Sequence, residues 1–427
     1  MARSGVAALR LLREKGAIVR AVDEKAMGEV EGVKVEVQTS DALHGADLIV
    51  ISPGVPAELE ILREVRDRGI PVIGDLELAA PFLAGTNIGV TGTNGKTTTT
   101  ALTGHILRES GIPCQVGGNI GTPPASMVAT SLSGQFNVLE LSSFQLETIK
   151  TFHATIAACL NVTQNHLDRH HTLQGYANAK ARLFETQCTG DVAVLNADDP
   201  ITGSFASRTA ARAVWFSGTH RPTANAWLRH DNVFLDGERL LDVRDLRLRG
   251  RHNYENVMAA ALIAREAGAQ PSQIAQAAAT FAPVEHRLEL VRELNGVAYY
   301  NDSKATSVDA TSKAIDAFPG GLWIILGGKD KDSDYTVLSG ALRQKAKAVL
   351  LIGAAAQKIA SQLADKGLPL IHSGTLAAAL QQAYRSAEPG DTVLLAPACA
   401  SFDQFENFEQ RGRVFKELVN ALATGGE

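Results

Sequence analysis

The run Gly92-Thr93-Asn94-Gly95-Lys96-Thr97-Thr98, placed directly after the apolar segment Ile88–Val90, has the residue types needed to hold phosphate. Glycines let backbone N–H groups turn inward around phosphate oxygens, and a helix that follows presents its positive end to them. In such a loop Lys96 reaches the outer phosphates, and a threonine hydroxyl, that of Thr97, sits on Mg²⁺. The spacing departs from the usual P-loop. Gly89 precedes Gly95 by one residue too many, so the working core is the shorter GTNGKTT. A strand before it and a helical pattern after it favour nucleotide binding over a plain glycine turn.

Other groups suited to chemistry follow at the ends of apolar segments. Glu140 in NVLELSSFQ stands where phosphate-loop enzymes hold metal or activate a nucleophile, although a strand-end carboxylate can also cap the next helix. His166, His170 and His171 crowd NVTQNHLDRHH. His166 comes first after the strand end and is the best metal candidate, against the plainer reading of an exposed, idle loop histidine. Lys180, in the helical pattern YANAKARLF, falls on a partly buried face with no obvious acid partner, which is unusual for lysine. The alternative is a surface lysine whose stem covers apolar neighbours. Asn253 and Asn256 lie three apart at the start of an alanine-rich helix, suiting a purine edge or a helix cap. The arginines from Arg244 to Arg251 alternate with apolar residues and read as one solvated strand face. Further on, Arg287 in HRLE is placed to clamp a phosphate from a neighbouring domain. NDSKAT (301–306) and GGKDK (327–331) each follow an apolar strand, at the end where open α/β sheets bind ligands. Phe402, Phe405 and Phe408 have helical spacing, two of them for core packing and at most one for a site wall.

These residues need a framework of strand ends. Helix and strand patterns alternate along most of the chain, which predicts parallel sheets with crossover helices, an α/β fold. A helix over 5–15 leads to a strand in AIVRAVD, then to strands in ADLIVISPG and PVIGD. A doubly wound domain normally opens with a strand and a glycine-rich turn; here Ser4-Gly5 reads as the end of such a turn, about 8 residues (one strand plus its turn) short of the full pattern. A boundary is expected near 76–85. The segment 218–249 reads as β-hairpins. The last region has strands in VAYYND, LWIILGG, AVLLIG and TVLLAP, and a final helix running to the C-terminus. The expected organisation is three domains. Residues 1–78 are Rossmann-like but lack the first strand, 79–283 are of central P-loop ATPase type, and 284–427 are again Rossmann-like.

Composition narrows the function. The 427 residues carry a net charge of −5, so no broad basic field awaits a nucleic-acid backbone. Cys114, Cys159, Cys188 and Cys399 are scattered without CxxC spacing, which predicts neither a disulfide framework nor a zinc site. No apolar run approaches the roughly 20 residues of a membrane span, and the arginine-bearing start reads as an amphipathic helix, so a cytoplasmic protein is expected.

GTNGKTT, LELSSFQLE, NxTxxHLDRH, the helix with Lys180, HNxxN, HRLE, NDSKAT and ACASFDQFENFEQRG, in this order and separation, resemble the Mur ligase family over almost the whole chain. ARSGVAAL, NDSKATS and SFDQFENFEQRG resemble its D-glutamate-adding branch. The resemblance implies ATP, Mg²⁺ and CO₂ as a lysine carbamate, with UDP-N-acetylmuramoyl-L-alanine and D-glutamate as substrates and a monomeric enzyme. It implies attack of the substrate carboxylate on the γ-phosphate of ATP, then of the D-glutamate amine on the acyl phosphate. It puts Glu140, His166 and a carbamylated Lys180 at magnesium, and Asn119 near the transferring phosphoryl group. It gives Asn253, Asn256, Arg287 and Asp302 to the nucleotide, and Thr306, Lys331, Ser401 and Phe408 to D-glutamate. Ser52 belongs with the UDP-sugar. Asn165 stands where the family has Asp, removing a charge beside His166. The neighbouring alternatives are another amino-acid ligase of the superfamily, or a P-loop switch protein, against which no NKxD motif stands in the chain.

Overall fold

The structure is a computed structural model describing residues 3–25, 28–282 and 284–423. The expected start at Met1, the expected boundary at Pro283 and the end of the expected last domain, 424–427, lie outside the described residues. The chain forms two compact units, Met1–Leu246 with Tyr254–Phe281, and Arg247–Asn253 with Ala282–Glu427. Both are α/β.

The first unit opens with the helix Arg3–Glu14, so Ser4 and Gly5 are helical rather than the end of a turn. β1 (Ala21–Asp23), β2 (Gly28–Val30) and β3 (Val33–Val37) form one small sheet in the order β1-β3-β2. β4 (Ile49–Ile51) and β5 (Val72–Gly74) pair parallel in another. The expected strand over AIVRAVD shrinks to β1, because Gly16 turns with φ 83° and Ile18 projects fully into solvent. The first helix serves both sheets. Its Leu9 packs with Ala21 and Val35, while Ala7, Ala8 and Leu11 pack with Leu78 and Ala79 and against Val50 and Ile73.

The same unit contains a nine-stranded sheet. Its strands are β6 (Thr86–Thr91), β7 (Cys114–Gly118), β8 (Phe136–Glu140), β9 (Ile156–Cys159), β10 (Val192–Asn196), β11 (Arg212–Ser217), β12 (Ala226–Arg229), β13 (Asn232–Leu235) and β14 (Glu238–Asp242), in the order β14-β13-β12-β11-β10-β9-β6-β8-β7. β6 to β12 run parallel and are linked by crossovers; β12, β13 and β14 are the expected hairpins. β8, β9 and β10 are almost wholly buried, and β9 and all but the last residue of β10 are apolar, as expected of strands covered on both faces. The segment after Asp242 is not the expected strand. Leu246 and Leu248 are buried and Arg244, Arg247 and Arg249 exposed, so the alternation holds, but β14 ends at Asp242, which caps a short 3₁₀ turn by accepting from the Arg244 N–H.

The second unit holds a six-stranded sheet of β15 (Glu289–Leu294), β16 (Val297–Asn301), β17 (Leu322–Gly327), β18 (Ala346–Ile352), β19 (Leu370–Gly374) and β20 (Thr392–Leu395), ordered β15-β16-β20-β17-β18-β19. β15 and β19, at the two edges, mix polar with apolar residues and hold no sustained apolar run. The last helix spans Phe408–Asn420 and stops there, not at the C-terminus. Phe402 and Phe405 precede it. The Asn407 side chain caps its start, so the phenylalanine spacing is not helical: Phe402 is exposed and Phe405 packs on the core.

Candidate active site

In the first unit the site is built on three adjacent strands, β9, β6 and β8. β6 delivers the glycine loop at its C-terminal end, and the helix Lys96–Glu109 begins at the loop's last residues. Gly92 has φ 148° and Gly95 φ 84°, conformations open to glycine. At Gly95 a Cβ would also come within 2.2 Å of Asn256 Oδ1. Thr97 and Thr98 are buried on the first turn. The Lys96 ammonium donates to the carbonyls of Gly92 (2.9 Å) and Thr93 (2.8 Å).

The loop is braced from β9. The Asn161 carboxamide accepts the Asn94 N–H at 2.9 Å and donates to the Asn94 carbonyl at 3.2 Å. The Asn161 carbonyl accepts the Thr93 N–H at 2.8 Å. Thr93 Oγ1 donates to the Thr163 carbonyl (3.2 Å) and accepts its N–H (2.9 Å). Sequence reasoning gave Asn161 no role; its position two residues past a strand, opposite the loop, was the available signal.

Glu140 ends β8 with its side chain buried. Oε1 accepts from Asn119 Nδ2 at 3.2 Å, and the Asn119 N–H donates to the Glu140 carbonyl at 2.8 Å. Oε2 is buried without a hydrogen-bond partner. A buried carboxylate oxygen in that condition costs free energy unless a cation or a donor meets it, so the group suits a metal ion. Asn119 itself is exposed.

Lys180, on the helix Leu173–Glu185, is more deeply buried than its pattern suggested, at 1% exposure. Its ammonium meets neutral groups: the Gly92 carbonyl at 2.8 Å, Thr91 Oγ1 at 3.4 Å and the Tyr176 ring at 4.4 Å. Burial first, and then the charge of Lys96, push it well below the usual lysine range. The structure thus brings Lys180 to the phosphate loop itself.

His166 is exposed with φ 52° at the start of the short helix Leu167–His170, where its N–H donates to Asn165 Oδ1 at 3.0 Å and its ring lies 4.9 Å from that of Phe144. His170 instead bonds Ser143 Oγ at 2.9 Å and faces Glu147, and His171 is exposed. Arg169 pairs with Glu147 at 2.6 Å and donates to the Val55 carbonyl at 3.0 Å. Val55 closes a turn onto the carbonyl of Ser52, the residue just past β4, so Arg169 ties that turn to the His166 segment. Asn256 lies against the loop, accepting from Thr99 Oγ1 at 3.3 Å.

The remaining candidates lie in the second unit. Asn253, in the first turn of the helix Arg251–Glu266, donates from its side chain to the Arg249 carbonyl at 2.7 Å, which is not the accepting bond of a helix cap. Asp302 is buried, accepts the Leu288 N–H at 3.3 Å, and is pushed up to about 7 by burial, against the opposing charge of neighbouring Arg287. Lys331 Nζ reaches Thr306 Oγ1 at 3.5 Å, and Ser401 is buried after β20. Half-buried Phe408 has the Lys304 ammonium 5.1 Å above its ring. What binds this cluster together is Arg411, which sequence reasoning passed over. Fully buried, its guanidinium donates to Ser303 Oγ (2.9 Å) and to the carbonyls of Ser303 (2.8 Å), Cys399 (3.2 Å) and Ala400 (3.4 Å).

Residues 90–264 match the model of the Mur ligase middle domain, and 286–399 that of the Mur ligase, glutamate ligase domain. The chain is 57% identical over 427 residues to the UDP-N-acetylmuramoylalanine--D-glutamate ligase of Solibacter usitatus, covering 99% of this chain and 96% of that protein. It is 47% identical to the ligase of the same name from Koribacter versatilis, over 99% and 96%. Among solved structures it resembles in fold the UDP-N-acetylmuramate-alanine ligase of Thermotoga maritima (TM-score 0.63, 18% identity, 98% and 97% covered) and a pseudomurein peptide ligase of Methanothermus fervidus (TM-score 0.62, 19%, 98% and 97%).

Proposed function

The chain belongs to the Mur ligase family, and on that premise we propose that it joins D-glutamate to UDP-N-acetylmuramoyl-L-alanine with cleavage of ATP, in the building of peptidoglycan precursors in the cytoplasm. The observation that carries the reading is identity of 57% along the full chain to a ligase of that name. The division into UDP-sugar (1–78), ATP (79–283) and amino-acid (284–427) domains, and a monomeric state, belong to the same proposal.

The residues supply the steps as follows. The substrate carboxylate oxygen attacks the γ-phosphorus of ATP, the bond to the β–γ bridging oxygen breaks, and ADP leaves. The two reactants are anions, so Lys96 and the N–H groups of the 92–98 loop must offset charge at the phosphates. The D-glutamate amine then adds to the acyl carbon, phosphate departs with the acyl oxygen, and the amine loses its extra proton. Mg²⁺, when bound, screens the phosphate charges; Glu140, with its buried unpartnered Oε2, suits it, and we assign Thr97, His166 and Lys180 to the same ion. Lys180 supports a carbamate. Burial and the charge of Lys96 lower its basicity, which favours the neutral amine that adds to CO₂ and loses a proton to become an anion. Asn119 orients Glu140. Asn256, Asn253, Arg287 and Asp302 receive the nucleotide, Thr306, Lys331, Ser401 and Phe408 the D-glutamate, and Ser52 the UDP-sugar.

The test is phosphate release from ATP with UDP-N-acetylmuramoyl-L-alanine fixed and D-glutamate, L-glutamate, L-lysine or diaminopimelate offered in turn. Release that depends on D-glutamate, with one new amide product, is expected. Release driven by another amino acid would replace the substrate assignment.

A further inference from the structure

At the opposite end of the nine-stranded sheet from the phosphate loop, His153, Cys188 and Asp191 bring an imidazole nitrogen, a thiol sulfur and a carboxylate oxygen within 4.8 Å of one another. His153 stands just before β9 and Asp191 just before β10, which are parallel neighbours in register at Ile156 and Val192. Asp191 is nearly buried, while its two companions reach solvent. One oxygen, Oδ2, gathers the group: it receives the Cys188 N–H at 2.6 Å and lies 2.7 Å from His153 Nε2.

We propose that these three side chains form a binding site for a tetrahedral, thiophilic divalent cation of the zinc type, with water as the fourth ligand. The sequence reading expected no zinc site because the cysteines lack paired spacing; here the set is assembled by strand pairing, with one donor from each of three residue types. A thiolate, an imidazole and a carboxylate together suit zinc and exclude magnesium, which takes oxygen ligands at octahedral geometry. Bonds of about 2.0–2.1 Å at a tetrahedral centre place N and O donors about 3.3 Å apart, so the His153–Asp191 pair needs to open by little. The exposed Cys188 thiol closes the remaining distance by side-chain rotation. On binding, the thiol proton goes to solvent and the imidazole proton moves from Nε2 to Nδ1, freeing the Nε2 lone pair.

The frame that holds the donors is already stiff. Gln187 Nε2 donates to the carbonyls of Ala154 (3.1 Å) and Val192 (2.9 Å), Thr186 Oγ1 donates to that of Phe152 (2.8 Å), and the Asp191 N–H donates to that of Cys188 (3.0 Å). The other such cluster among the described residues, Glu285, His286 and Glu289, is a weaker candidate because Lys416 already pairs with both of its carboxylates, at 3.0 and 2.6 Å.

Co²⁺ titrated into the full-length protein, with excess Mg²⁺ to occupy oxygen-rich sites, tests the proposal. The expected result is one equivalent giving a thiolate-to-cobalt band and tetrahedral d–d absorption, displaced by Zn²⁺. The band is expected to vanish in Cys188→Ser and His153→Ala and to persist in Cys114→Ser. Zn²⁺ is also expected to raise the melting temperature of the native protein but not of Cys188→Ser, whose exposed position makes misfolding a minor concern. Absence of a thiolate band, or its survival in Cys188→Ser, overturns the site.

Discussion

Replacing Lys180 with alanine removes the buried amine beside the phosphate loop, whose basicity burial lowers. An ordinary lysine, with a pKa of about 10.4, is neutral in roughly one molecule in a thousand near pH 7.4. Only that fraction has a lone pair to add to CO₂. Burial against the Gly92 carbonyl, Thr91 and the Tyr176 ring, together with the charge of Lys96, drives Lys180 well down. The lowered basicity enlarges that fraction and so favours addition to CO₂. The carbamate then carries negative charge into a site where Lys96 supplies positive charge. Loss of a metal-holding anion is expected to lower kcat by about 10²-fold or more, and short carboxylic acids should restore part of it by occupying the vacated space. ¹³C NMR of protein equilibrated with ¹³C-bicarbonate should show one carbamate resonance in the native chain and none in Lys180→Ala. Folded native protein without a Lys180-dependent resonance would refute the reasoning and leave the ligase assignment standing.

Lys96→Ala is expected to lower kcat by about 10²–10³-fold through lost charge stabilisation, with no rescue by carboxylic acids, as phosphate-release kinetics would show. Asp302 sits at about 7, above its unfolded value of 3.8, so the folded chain holds a proton that the unfolded chain has released. Its contribution to stability is therefore fully present below about pH 4 and falls as pH rises through 7, by up to about 1.4 kcal/mol per pH unit; melting temperatures across pH 4–8 should fall less steeply in Asp302→Asn. Arg411→Ala strands buried carbonyls around Ser303 and Cys399 and should cost about 3–5 kcal/mol in urea unfolding. Arg411→Lys, which keeps the charge without the planar fork, should raise KM for D-glutamate about tenfold with KM for ATP little changed.

The sequence alone determined what is local. GTNGKTT was legible because its glycines must adopt φ values closed to other residues, and because an apolar strand and a helix flank it. Fold class and the strands β8, β9, β17, β18 and β20 followed from their apolar segments, whereas buried β10 was not read from the sequence. Edge strands β15 and β19 did not follow either, since a strand with few buried faces lacks that signal. The long-range partnerships belonged to tertiary structure. Lys180 meets Gly92 only because its helix packs along a sheet whose order places β6 between β9 and β8. Asn161 braces the loop for the same reason, and Arg411 reaches Ser303 across more than a hundred residues. Side-chain type and local spacing state which chemistry a residue can do. Which residues do it together depends on strand order, because neighbours in a parallel sheet are brought together by crossovers that separate them along the chain.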